Sequence, residues 1–288
     1  MSQQFFNRLV KFTIGNVLSG GVIDPVVIVE SPIRITFVIQ KKAYAIANEG
    51  KVTLNNLSTS TRQKIQQNRN QIAILETGYK DAGGLQLTFY GDVVDVSHNI
   101  EKPEIITTVN IMDGHNALKQ KKTSVSYKKG TPISQIIKDC TAALGLPLNA
   151  SYKYVQLPVQ NTLGTLAHNG SAAALLDRLC ADNNLTWSIQ NGSVKIVNQG
   201  KHDNTAPLSS YLIGSPKRLF KNLISQSLDD FEGYEFNALL MPKCEPYNTV
   251  TIQSNEIPKP IKLTAMDVHH VGDNYGDDWK TTVKAANQ

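Results

Sequence analysis

Hydrophobic residues repeat every second position at both ends of this chain and every third or fourth position in its middle, which leaves few architectures open. Ile33, Ile35, Phe37 and Ile39 alternate with Arg34, Thr36, Val38 and Gln40, and Leu85, Leu87 and Phe89 alternate with Gln86, Thr88 and Tyr90. A two-residue period sends successive side chains to opposite faces of a strand and sets one face against a core. Further strands are expected around residues 51–57 and 71–77. The hydroxyls of Ser58, Thr59, Ser60 and Thr61 between them can cap the first turn of a short helix. The first unit, residues 1–115, reads as mainly β with one helix.

From residue 116 the period changes. Thr131-Pro132-Ile133 predicts a helix start with the hydroxyl as N-cap and Pro at the first helical position; Ile133, Ile136, Ile137, Cys140 and Leu144 form its apolar stripe, and Gly145 stops it. A second helix starts near Ser171, carries Leu175, Leu176, Leu179 and Cys180, and ends at Asn183-Asn184. Asn191-Gly192 between the alternating segments 185–189 and 194–197 is a hairpin signal. The two helices echo one another, with Gly130, Ile136, Lys138 and Cys140 matched by Gly170, Leu176, Arg178 and Cys180. Residues 116–209 therefore read as an α+β unit that ends in a linker with Gly200, Asn204, Pro207 and Ser209-Ser210.

The β pattern returns in residues 210–288, with strands expected at 235–241, 248–254, 261–271 and 280–286. One echo joins this unit to the first. Asp95-Val96-Ser97-His98 is followed by Thr107-Thr108-Val109, and Asp267-Val268-His269-His270 by Thr281-Thr282-Val283. Each reads as a strand, a polar turn and a returning strand, so a duplicated β-unit is expected with the α+β unit inserted between its copies. The fold class is α+β, mainly β.

Composition narrows the function. With 41% hydrophobic and 18% charged residues the chain is neither disordered nor fibrous. Its 3 cysteines cannot build a disulfide framework, and Cys140 and Cys180 read as small core residues of a protein made in a reducing cytoplasm. No apolar run is long enough to span a membrane, and Arg8 and Lys11 interrupt the N-terminal stretch. The sequence holds no GxSxG, GxxxxGK[ST], GxGxxG after a strand, HExxH or CxxC. Gly20-Gly21 and Gly83-Gly84 read as turns.

Metal-ligand residue types cluster at His269-His270, Asp273, Asp277 and Asp278, but adjacent strand residues face opposite ways and the following Gly-Asp segment reads as a turn. Asp229-Asp230, Glu232 and Glu235 read as a solvated acidic loop. Lys119, Lys121, Lys122, Lys128 and Lys129 form a basic segment with Tyr127 as its sole aromatic, which suits a solvated face or an acidic partner better than nucleic acid. No catalytic, cofactor-binding or metal-binding residue is assigned, and no enzyme activity is expected.

A resemblance enters with the order and spacing of these segments. Gly214-Ser215-Pro216, the strand Phe236 to Met241, Pro242, Pro246, Val268 to Asp273 and Gly276 through Trp279 to Thr281 resemble the C-terminal part of phage tail hub proteins. Val52 to Ser58, Arg62, Gly78-Tyr79, Phe89 to Asp92 and Asp113-Gly114 resemble their first domain, and Leu185 to Gly192 their middle. What this implies is a baseplate hub similar to the central hub of T-even-type contractile tails. In that family two tail-tube-like β-barrel domains flank an α+β insert, and three copies close a ring that adapts the hexameric tail tube to a trimeric spike.

The implied partners are further copies in a homotrimer, the tail tube protein, a spike or puncturing protein, other baseplate proteins and the tape-measure protein. Genome DNA would pass through the channel without specific binding. The implied location is the virion tail, assembled in the host cytoplasm. A lysozyme-like segment is not expected. Two other readings stay open. The Gly130-Thr131-Pro132-Ile133 helix start resembles LysM repeats, which suggests a cell-wall glycan-binding module. A hydrolase would show itself by a buried Asp or Glu with a perturbed pKa in a pocket.

Overall fold

The alternating segments do become strands, and one inserted residue decides which faces they bury. The computed structural model describes residues 7–18, 22–67, 71–203, 205–220 and 231–287. Gly20-Gly21 and Asp229-Asp230 lie outside the described residues. In the first unit β1 (Arg8–Val17) and β2 (Ile23–Glu30) form a hairpin, followed by β3 (Ile35–Lys42), β4 (Asn48–Asn55), α1 (Thr59–Gln67), β5 (Ile72–Tyr79), β6 (Gly84–Glu101) and β7 (Glu104–Asp113). Ser58 Oγ accepts the Thr61 backbone N–H at 3.1 Å and so caps α1 as its composition predicts.

Ile35, Phe37, Ile39 and Phe89 are buried, as the period requires, but Leu85 and Leu87 are 38% and 41% exposed. The cause is a bulge. β5 and β6 shift register between Leu75 and Glu76, so Leu75 faces Phe89 and Glu76 faces Leu87, which leaves Thr88 as the extra residue. Beyond it the alternation inverts: Thr88 turns inward to a 2.5 Å hydrogen bond with Thr77, and the leucines turn out.

The middle unit runs α2 (His115–Gln120), β8 (Lys122–Tyr127), α3 (Ile133–Leu144), a 3₁₀ turn at Ala150–Tyr154, β9 (Leu166–Ser171), α4 (Ala172–Asp182), β10 (Leu185–Gln190) and β11 (Ser193–Asn198). The expected apolar stripes of both helices are buried. Ser171 caps α4 by accepting from Ala174 N. At α3 the capping differs from expectation: Pro132 is itself the N-cap, and the Thr131 hydroxyl turns back to donate to Lys128 O at 2.8 Å. Gly145, at φ 75°, closes the helix with its N–H on the Ala142 carbonyl. Asn191 and Gly192, at φ 50° and 73°, make the predicted two-residue turn between β10 and β11.

The last unit contributes β12 (Leu208–Ser209), β13 (Lys217–Leu219), β14 (Gly233–Leu239), β15 (Thr249–Ile252), β16 (Ile261–Asp273) and β17 (Trp279–Asn287). Glu235, grouped with the acidic loop but also the first residue of the strand expected at 235–241, lies in β14 opposite Lys217 and Lys284, where strand pairing places it between cations.

The protein is mainly β, and its outer units share one sheet. Strand order runs β13-β14-β17-β16-β3-β4-β7-β6-β5-β1-β2, with β15 on β16 and β12 on β15. The family resemblance implies two barrel domains; the strand order here is an open path, and among the described residues the pairings close no barrel. Instead β16 bridges the units, pairing Asp267 to Asp273 with Lys42 to Thr36. β8 and β9, and β10 and β11, form separate two-stranded sheets.

Candidate assembly interface

The β3–β16 seam is the centre from which the other features are laid out. Gly272 lies opposite Phe37, and a Cβ at Gly272 would fall 2.2 Å from the Phe37 ring. Only glycine lets the two strands and that ring coexist. Phe37 in turn meets Trp279 edge to face at 5.6 Å. Arg34 closes one end with a 2.7 Å ion pair to Asp273, and Asn274 receives the Ile35 N–H at 2.8 Å.

Behind the seam, where all three units meet, sits a buried ionic cluster. Lys195 of β11 pairs with Asp203 at 2.5 Å and Glu245 at 3.5 Å, and donates to the Pro246 carbonyl at 3.0 Å. Asp203 also accepts from Asn248 at 2.8 Å. Lys41 of β3 is wholly buried with Glu245 at 4.0 Å and makes no hydrogen bond among the described residues, so burial lowers its pKa. Asp113, at the end of β7, accepts the Gly192 N–H at 2.9 Å, and burial raises its pKa to about 7. Asn48 reaches across to the Ile189 carbonyl and Gln190 side chain at 2.8 and 3.0 Å. Asp203 lies in the segment that composition marks as a linker, yet it is 2% exposed.

The sequence echo is an echo of ladder geometry. In the first copy Val96 pairs with Val109 and His98 with Thr107; in the second Val268 pairs with Val283 and His270 with Thr281. Each histidine Nδ1 sits on its threonine Oγ1, at 3.0 and 2.9 Å. Both long strands carry a one-residue bulge just before the aspartate, at Val94 and Met266. The neighbours repeat too: Val52 and Phe236 face Val109 and Val283, and Ile72 and Thr249 face Asp92 and Thr264. The order β3-β4-β7-β6-β5 thus recurs as β13-β14-β17-β16-β15.

The copies differ at their edges. β3 covers β16 beyond its bulge, but β5 pairs with β6 only as far as Asp92, and no described strand covers that edge of β6 beyond it. Among the described strands β13 is likewise an outer one, paired with β14 alone.

The residues flagged as possible metal ligands do not converge. His270 is fully buried between Thr281 and the Cys244 carbonyl, and burial together with nearby Lys41 holds it neutral, well below the usual histidine range. His269 points to the other face, Asp273 is held by Arg34, and Asp278 pairs with Lys280 at 3.2 Å. The five lysines of the basic segment are exposed. All three cysteines are buried, and burial pushes each thiol up to about 12, which suppresses thiolate reactivity. Asp113 has the perturbed carboxyl that a hydrolase would need, but at 1% exposure it is closed to substrate. A cleft of about 510 Å³ in the middle unit is lined by Tyr154, Gln156, Asn184, Asn198 and Gln199 among others. No sequence spacing signals the ionic cluster, because its members come from separate segments.

Comparison with known proteins points one way. A family described as Baseplate hub gp41 matches residues 10–255. A 43 kDa tail protein of prophage MuSo2 from Shewanella oneidensis is similar in fold, with a TM-score of 0.64 at 11% identity over 98% of both chains. A tail protein from Neisseria meningitidis MC58 has a TM-score of 0.59 at 11% identity over 97% of this chain and 96% of its own. The E. coli c3393 protein, a component of the type VI secretion system, has a TM-score of 0.58 at 9% identity over 89% of this chain and 74% of its own. No curated protein sequence matches.

Proposed function

The chain belongs to the Baseplate hub gp41 family of phage tail proteins, and from that premise we propose that it is the structural hub of a phage or phage-derived baseplate. It closes as a homotrimeric ring that adapts a hexameric tail tube to a trimeric spike, without enzyme activity of its own. The observation that carries this reading is the repeated ladder: each chain presents two equivalent five-strand units, so three chains present six. That is the arithmetic a sixfold-to-threefold adaptor needs.

In this reading residues 1–115 and 210–288 act as two tube-like modules around the insert 116–209. The tube protein, the spike, other baseplate proteins and the tape-measure protein are its partners; DNA passes through the ring without specific contacts, and assembly takes place in the host cytoplasm. Light scattering on the purified chain mixed with its cognate spike protein tests the reading. A complex with three copies of this chain is expected, and a complex that holds a single copy of it at all ratios would sink the reading.

A second reading rests on the cleft in the middle unit. Its amide side chains and half-exposed Tyr154, with Lys153 at 4.9 Å over the ring, offer the mixed stacking and hydrogen bonding a glycan uses. Retention on insoluble peptidoglycan that Tyr154→Ala abolishes is the outcome expected of that role, and equal retention of both proteins rules it out.

A further inference from the structure

Resting on the hub reading above, we propose that the open edge of β6 beyond its bulge adds to strand β13 of a second copy of this chain, repeating between chains the seam that β16 and β3 make within one. The repeated ladder fixes the correspondence. Val96, Ser97 and His98 occupy in β6 the positions of Val268, His269 and His270 in β16. Through β14 and β4, Lys217, Arg218 and Leu219 occupy the positions of Val38, Ile39 and Gln40. The internal seam pairs His269 with Gln40 and His270 with Ile39. Transferred to the open edges, it sets Ser97 opposite Leu219 and His98 opposite Arg218 of the neighbour.

Exposure supports the pairing. Within the chain the seam buries Val268 and Lys41 completely. At the corresponding open edges Ile100 is 63% exposed, Phe220 70% and Val94 45%, an apolar fringe that an added strand would cover. The second copy is the occupant because its β13 carries the backbone geometry already used once against this edge position. Each chain offers β6 to one neighbour and β13 to the other, a heterologous contact that closes into a ring when its rotation closes. Backbone hydrogen bonds then supply affinity, as they do wherever a strand extends a sheet.

A cysteine pair tests the register. In Ser97→Cys/Leu219→Cys the two thiols of one chain are separated by six intervening strands, so a disulfide must join two chains. The native cysteines are buried and do not compete. Mild oxidation of the assembled protein is expected to give covalent multimers ending in one discrete largest species. The off-register pair Ser97→Cys/Lys217→Cys is expected to cross-link at least tenfold more slowly, and Ile100→Asp to dissociate the assembly without lowering Tm by more than a few degrees. Assembly by light scattering without cross-links, or equal cross-linking of both pairs, overturns the edge assignment and leaves the hub reading standing. A chain that stays monomeric and uncross-linked up to its solubility limit overturns the edge assignment as well.

Discussion

Lys195 and Lys41 are two buried lysines under the same roof, with opposite consequences. Lys195 is matched by Asp203, Glu245 and a carbonyl, so Lys195→Met removes the cation and strands two carboxylates. Chemical denaturation should show a loss of about 3–5 kcal/mol. Lys41 has Glu245 at 4.0 Å and makes no hydrogen bond among the described residues, and desolvation of its ammonium outweighs the pull of Glu245 and Asp113. Lys41→Met should therefore leave stability unchanged or raise it by about 1 kcal/mol; a loss as large as that of Lys195→Met would mean the cation is needed. Asp113 adds a pH dependence. Its folded pKa, near 7, lies above the ordinary value of 3.8, so its stabilising protonated form is fully present below pH 3.8 and is lost as pH rises through 7. Between those limits Asp113→Asn should flatten the decline in stability with pH, by an amount on the order of a few kcal/mol in denaturant midpoints converted to free energy.

The duplicated strand pairs give a comparison between copies. His270 is completely buried, whereas His98 is half-buried on an open edge. His270→Ala should cost about 2–4 kcal/mol and His98→Ala less than about 1, read from urea midpoints; equal costs would show that the two edges are equally enclosed. Gly272→Ala drives a methyl into the Phe37 ring and should cost about 1–3 kcal/mol. Much of this element structure is legible in sequence. Periodicity locates the strands, the Asn191-Gly192 turn locates a hairpin, and the Asp-Val-x-His repeat marks a shared register. The Thr88 bulge is not legible, because an extra residue is defined only against the strand that lacks it. Nor is the β3–β16 seam: two alternating strands carry no label naming a partner more than two hundred positions away. The ionic cluster is hidden for the same reason, its members being gathered from five segments.

At the scale of the whole molecule the units are tied at several points. The first core takes in Leu240 and Trp279 from the last unit, and Asn191 in the middle unit accepts from Tyr90 N–H and donates to Glu245. Calorimetry should accordingly find one unfolding transition, with calorimetric and van't Hoff enthalpies in a ratio near one; two resolved transitions would show that the seam and cluster do not couple the units. The seam also has a consequence in time. β3 leaves the ribosome about 230 residues before the segment of β16 that covers it. At roughly 5–20 residues per second, that interval is on the order of 10–50 s. Throughout it a nascent chain whose β3 can already pair with β4 on one side displays the other, unpaired edge of β3 to a crowded polysome on which sister chains display the same one. Synthesis rate and holdase supply, more than final stability, then set how much of this protein escapes co-translational aggregation.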